Sequence, residues 1–197
     1  MYKKTRSLLQ YPFRFDFYVS YRIEGNTIFH SYKVVNLNEN EMFFSVGAHP
    51  GFNIPLYENE KFEDYYILFE KKETKNRRIK ANGLLSGEQY KFLNNENMKQ
   101  LEHSFFYNGA IIMEKLESSW LEIRNNVNSK AIRVNFEGFP YLGIWSAAND
   151  APFLCIEPWF GLDSKKGDSL DLFAKEGLQK LAAGKIFECT YSIEIKD

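Results

Sequence analysis

The chain has 197 residues, of which 44% are hydrophobic and 26% charged, the balance of an ordinary globular protein and not of a disordered one. Lysine and arginine number 25 against 26 acidic residues, a net charge of −1, so no basic stripe is available to neutralise phosphates and a nucleic-acid partner is not expected. No apolar run approaches the roughly 20 residues that a membrane-spanning helix needs, so a membrane partner is not expected either.

Aromatic residues reach 17%, and they favour pleated, half-buried surfaces, so β structure is the first expectation. The chain opens on a basic stretch, Lys3-Lys4-Thr5-Arg6, with no apolar signal core behind it. From Tyr11 to Ile23 aromatic and aliphatic residues alternate with polar ones, which predicts a long strand with one buried face made of Tyr11, Phe13, Phe15, Phe17, Val19, Tyr21 and Ile23. Glu24-Gly25-Asn26 turns the chain and Thr27 to Val35 returns as the second arm of a hairpin. His30 falls inside that arm and reads as a strand histidine with a local partner. Met42 to Ala48 is strand-like. The following Gly47-Ala48-His49-Pro50-Gly51-Phe52-Asn53-Ile54-Pro55 cannot continue a regular ladder and predicts a shaped loop carrying His49.

Phe62 to Glu70 predicts another strand. The basic run Lys71-Lys72, Lys75 and Arg77-Arg78 is interleaved with Glu70 and Glu73 and reads as a solvated loop or edge strand. Asn82-Gly83 and Ser86-Gly87 mark turns, and Asn94 to Lys99 reads as irregular. Further strands are predicted at Phe105 to Met113, Trp120 to Arg124, Lys130 to Phe136 and, more apolar and therefore central, Tyr141 to Ala147. Asn149-Asp150 turns this last strand into a partner running through Leu154 and Ile156. Leu162 to Gly184 reads as loop with one short segment near Leu178 to Leu181, and Ile186 to Ile195 closes the chain as a strand with Cys189 on its apolar face. Many strands, turn residues between them and no helical period predict an all-β sandwich, and the lack of a linker or repeat predicts a single domain over residues 1–197.

Two loops carry chemistry. Alternation puts Phe153, Cys155 and Glu157 on one face of the penultimate predicted strand, and Pro158, which has no N–H to give a ladder, predicts its end. Glu157 then stands beside Trp159, a flat apolar surface that disfavours a charged carboxylate and tunes it for proton transfer. A strand-end glutamate is ordinarily a solvated rim residue, so Glu157 gains weight only with a partner. His49 is such a partner, because its unperturbed pKa suits it to giving and taking protons. Cys155 and Cys189 are too few for a disulfide framework and match no metal-ligand spacing, so free thiols in a reducing, cytoplasmic setting are expected, with no metal and no cofactor.

Four segments carry a resemblance: Tyr11-Pro12-Phe13-Arg14-Phe15, Gly47-Ala48-His49-Pro50-Gly51-Phe52, Phe139-Pro140-Tyr141-Leu142-Gly143-Ile144-Trp145 and Cys155-Ile156-Glu157-Pro158-Trp159. In this order they resemble the aldose 1-epimerase (galactose mutarotase) family, in its LacX-like branch, from about Thr5 to the end of the chain. The resemblance implies the family's antiparallel β-supersandwich and a reaction that interconverts the α and β anomers of a small-molecule sugar. It implies Glu157 as base on the anomeric hydroxyl and His49 as acid on the ring oxygen. Phe52 and Trp159 are the residues expected to face the sugar's C–H surface, while Trp145, in mid-strand, reads as core.

The resemblance also implies differences. Family members carry a further N-terminal portion that supplies an arginine and a second histidine to the sugar, and this chain is expected to lack it. His30 and His103 lie in the wrong segments to replace that histidine, and Gly109 stands where the branch is expected to have an aspartate before Ala110. Missing strands would leave an unpaired sheet edge open to self-association or to pairing with the missing segment. Two other readings remain: a non-catalytic carbohydrate-binding protein, and a glycosidase pairing Glu157 with Asp163, which would require carboxyl groups about 5–10 Å apart. Arg14 and Arg22, on the polar face of the first strand, read as solvated charges and not as a phosphate clamp.

Overall fold

The computed structural model describes residues 8, 11–81, 83–169 and 171–197. Its strands are β1 (Phe15–Glu24), β2 (Thr27–Asn36), β3 (Met42–Phe44), β4 (Val46–Gly47), β5 (Gly51–Asn53), β6 (Tyr65–Ala81), β7 (Leu84–Gln100), β8 (Ile111–Glu114), β9 (Trp120–Asn125), β10 (Ala131–Asn135), β11 (Tyr141–Trp145), β12 (Phe153–Phe160), β13 (Gln179–Leu181) and β14 (Ile186–Lys196). Twelve of them form one sheet in the order β1-β2-β14-β10-β9-β6-β8-β11-β12-β4, with β5 also on β12 and β7 on β6, and β13 pairs with β3 apart from it. Every strand pairing is antiparallel. Among the described residues three short 3-10 turns, Phe62–Asp64, His103–Phe106 and Leu172–Ala174, lie between the strands.

The main core lies on one face of the central strands. Ile111 and Met113 of β8, Ile144 of β11 and Leu154 and Ile156 of β12 are at most 1% exposed and share it. Fully burying an aliphatic side chain of this size contributes about 1.5–3 kcal/mol, which is why alternation along these strands sets their orientation. The opposite face of the same three strands carries Ile112, Gly143, Trp145, Cys155, Glu157 and Trp159, as period-two alternation requires. The in-register pairs Gly143 with Glu157, Trp145 with Cys155 and Gly143 with Ile112 hold these residues side by side.

Four expectations differ from the structure. The alternating face of the first strand is not buried: all ten residues of β1 are exposed, including Phe17, Val19, Tyr21 and Ile23. β1 is an edge strand that hydrogen-bonds only to β2, and no second layer covers it among the described residues. Only Tyr11 and Phe13, ahead of β1, pack inward, against a small cluster of Val34, Met42, Phe44 and Leu181. The basic run lies in a 17-residue strand, β6, and the polar stretch Asn94 to Lys99 in an equally long β7 paired with it. Repeated register shifts between them break the alternation that would mark them as strands in the sequence. The segment beginning at Phe105 is a 3-10 turn first, and its strand starts only at Ile111.

Pro158 does not end its strand either, because β12 runs on to Phe160. Its first residues, Phe153–Cys155, pair with β5 and its last, Trp159–Phe160, with β4. Pro158 sits at the break between these partners, and its carbonyl accepts from Ala48 N at 3.0 Å across that break. In an antiparallel strand a residue's N–H and C=O point the same way, so the missing N–H falls where no ladder bond has to form.

Candidate active site

That break is what positions the histidine. β4 and β5 flank the His49-Pro50 loop and both pair with β12, one on each side of Glu157. Ile156 N donates to Pro50 O at 3.2 Å and fastens the loop against the strand. As a result His49 Nδ1 lies 2.7 Å from Glu157 Oε1, with the histidine side chain 62% exposed and the glutamate side chain 5% exposed. The contact has the length of an ion pair without the alignment of a hydrogen bond, so Oε1 is buried with no well-directed donor. Burial pushes the Glu157 carboxyl above its ordinary 4.5, and contact with His49 and the charge of Lys80 offset this only in part.

Both residues open into a cleft of about 940 Å³. Trp159 forms part of its wall and is held in a slot between two glycines. A Cβ on Gly47 would lie 2.6 Å from the indole Cδ1, and one on Gly143 would lie 2.7 Å from Cη2 and Cζ2. The indole Nε1 donates to Ala48 O at 3.2 Å, which fixes the ring's remaining freedom. Trp145 also faces the cleft instead of the core expected for it, with its ring 5.5 Å from that of His49. It is the last residue of β11 and shares the parity of Gly143, which is why it lies on the site face. Phe52 is a correction in the opposite sense: it is absent from the cleft wall and packs against the main core beside Leu154.

Its apolar lining includes Ala110 and Leu162, which pack with the buried Leu85 and Ile112 and with the two tryptophans. The far side brings together Lys80 at the end of β6, Asp163 in the loop after β12, and Tyr107 to Gly109 after the 3-10 turn. Lys80 Nζ and Asp163 Oδ2 are 2.7 Å apart. Sequence reading missed Lys80 and Tyr107. The one signal pointing to Lys80 was the Asn82-Gly83 turn, which places it at a strand end. Among the described residues no arginine lines the cleft and His49 is its one histidine. His30 accepts or donates at Tyr191 Oη, 2.6 Å away, and His103 stacks on Phe62, so both serve local packing.

The ligating atoms of His49, Cys155 and Glu157 lie within 4.8 Å of one another, a spacing that a metal ion could bridge. Burial, reinforced by the nearby Glu157 charge, pushes the Cys155 thiol up to about 11. It is therefore protonated at neutral pH, and a thiol ligates only after losing that proton.

The chain matches the family model described as aldose 1-epimerase over residues 1–171. It is 34% identical over 189 residues to the chromosomal LacX protein of Lactococcus lactis subsp. lactis, covering 94% of this chain and 63% of that protein. Among solved structures it is similar to a galactose mutarotase related enzyme from Lactobacillus acidophilus, with a TM-score of 0.91 and 29% identity over 99% of this chain and 66% of that one. A galactose mutarotase-like protein from Lactobacillus casei is similar at a TM-score of 0.87 and 26% identity, over 98% of this chain and 67% of that one. The chain therefore belongs to the aldose 1-epimerase family and has the galactose mutarotase-like, all-β antiparallel supersandwich fold. It spans under two thirds of the length of the curated relative it matches.

Proposed function

We propose that the cleft interconverts the α and β anomers of an aldose. The observation that carries this reading is a buried carboxylate, Glu157, whose Oε1 has no directed donor, placed 2.7 Å from an exposed imidazole at the mouth of a sugar-sized cleft. Glu157 takes the proton of the anomeric hydroxyl while His49 gives a proton to the ring oxygen. The bond from C1 to the ring oxygen breaks and leaves an open-chain aldehyde. Rotation about C1–C2 presents the other face of the carbonyl. On closure His49 takes back the proton of the attacking hydroxyl and Glu157 returns one to the new anomeric oxygen, so both groups end as they began. Each such group typically contributes about 10²–10⁴-fold. Trp145 and Trp159 offer flat apolar surface to the sugar's C–H face. The two free cysteines suit a reducing, cytoplasmic setting.

Polarimetry on freshly dissolved α-D-glucose and α-D-galactose tests the reading. The expected result is mutarotation faster than buffer alone, lost by about 10²–10⁴-fold in the catalysed component on Glu157→Gln. An unchanged rate in that variant overturns the assignment of the base. A second reading is a carbohydrate-binding protein without turnover. It is favoured by the direct His49–Glu157 contact at 2.7 Å, which engages the proposed acid with the proposed base. Sugar binding at the buffer rate of mutarotation would establish it. Asp163, the second carboxylate a glycosidase would need, lines the same cleft in an ion pair with Lys80.

A further inference from the structure

We propose that the Lys80–Asp163 ion pair is the hydroxyl-reading wall of the cleft, and that it selects an uncharged aldose with free neighbouring hydroxyls. The inference rests on the reading of the cleft as a sugar site, but not on turnover there.

Both side chains line the same cleft as His49, Glu157 and Trp159, and they reach it from separate elements, the end of β6 and the loop following β12. They are half-buried, at 27% and 41% side-chain exposure, and 2.7 Å apart. The charges of both are felt at Glu157, Lys80 favouring its ionised form and Asp163 opposing it, which places the pair close to the carboxylate.

Two other polar groups of the cleft are already engaged. Trp159 Nε1 donates to Ala48 O, and Tyr107 Oη donates to Asp150 Oδ1 at 2.9 Å. Gly109 contributes no side chain, and a Cβ built there would meet only Lys80 Cβ, at 3.9 Å. Lys80 and Asp163 are the charged side chains of this wall, and the neutral Asn108 and Ser45 line the same cleft. An ammonium has three donors and a carboxylate about four acceptor sites, so mutual pairing leaves most of them free. A sugar hydroxyl both donates and accepts, so adjacent hydroxyls can bridge the pair, donating to Asp163 and accepting from Lys80. The two charges cancel, and among the described residues no arginine lines the cleft to clamp a phosphate bidentately. An anionic sugar would have to displace Asp163 from Lys80, which makes a neutral aldose the better fit.

The test compares the wild-type chain with Lys80→Met and Asp163→Asn, using α-D-glucose, its 2-, 3- and 4-deoxy analogues and glucose 6-phosphate. Mutarotation is followed by polarimetry and binding by saturation-transfer NMR. Each variant should raise KM, or the dissociation constant, by about 10- to 100-fold, the range for hydrogen bonds to charged groups, with kcat moving far less. At least one deoxy sugar should bind the wild type more weakly than glucose, and that penalty should vanish in both variants. A solvent-exposed structural ion pair would give neither result. Unchanged KM and binding in both variants overturns the inference while leaving the mutarotase reading intact. Wild-type preference for glucose 6-phosphate, abolished by Lys80→Met, also overturns it. If the wild type binds sugar without turnover and the variants lose binding, the mutarotase reading fails and this inference stands. Absence of sugar binding by the wild type overturns both.

Discussion

A carboxyl that serves as a base has to be ionised when the substrate arrives, and Glu157 is held where ionisation is opposed. Burial pushes its carboxyl above 4.5, with His49 and Lys80 working against that shift. The acid limb of kcat/KM is therefore expected above pH 4.5, which a pH profile of catalysed mutarotation checks. The same shift has a stability sign. A group whose folded pKa is raised contributes stability that is fully present below its unfolded pKa and is lost as pH rises through the folded value. At neutral pH Glu157 thus costs stability, and Glu157→Gln should unfold at an equal or higher temperature than the wild type. The difference should shrink as pH falls through the raised folded value and be gone below the ordinary 4.5. Thermal melts across that range check it. A lower melting temperature for the variant at neutral pH would contradict the account. At this scale much of the site was legible in sequence. His49, Glu157 and Trp159 were readable from the segments around them. Phe52 was not, because its direction depends on which strand its short β5 joins.

At the scale of elements, the site is a product of strand parity and of glycines placed opposite an indole. Gly143→Ala would put a methyl group 2.7 Å from the Trp159 ring, and rigid backbone on the other side of the slot leaves the ring little room. The expected cost is about 1–3 kcal/mol in denaturant unfolding, together with changed tryptophan fluorescence and a raised KM for sugar. A second element-scale device is Glu122 in β9, which is 1% exposed. It accepts from Arg124 Nε at 2.6 Å, Arg133 Nη2 at 2.6 Å and Lys196 Nζ at 3.1 Å, so β9, β10 and β14 are tied at one point. Burial alone would raise its pKa, but these three cations outweigh burial and lower it. Its contribution is present above the ordinary 4.5 and is lost as pH falls through the depressed folded value. Glu122→Gln should cost about 1.5–3 kcal/mol near pH 7, and the gap between variant and wild type should close on acidification. Equal stability at pH 7 would show that the cluster contributes nothing net. The charged character of β9 and β10 is visible in sequence, but that three cations converge on one carboxylate depends on sheet order.

At the scale of the whole molecule, the outstanding feature is β1. Among the described residues it has an unpaired edge, and it carries an apolar row of Phe17, Val19, Tyr21 and Ile23, which are 45–71% exposed. Such an edge is a template for further pairing. The curated relative and the Lactobacillus acidophilus structure are each longer than the region this chain matches. For the chain by itself, concentration-dependent self-association through β1 is expected, and sedimentation velocity measures it. Val19→Lys and Tyr21→Lys together should shift the population toward monomer, because charge on an edge strand opposes pairing. Association unchanged in the double variant would place the contact elsewhere.

Local chemistry written in the sequence determined the all-β class, most strand positions outside the long hairpin, most of the turns, though not one at Ser86-Gly87, which lies within β7, and the acid and base candidates. Alternation, proline and glycine act over a few residues, so they can be read without knowing what lies across the sheet. Only the tertiary structure decided which faces are covered. The row from Phe15 to Ile23 alternates as cleanly as any core strand and is bare, while the interrupted, highly charged β6 and β7 pair along most of their length. It also decided that Trp145 faces the site, that Phe52 does not, and that Lys80 meets Asp163. Burial and long-range pairing are properties of strand order, and strand order is set by the summed burial of the whole sheet, not by any one segment.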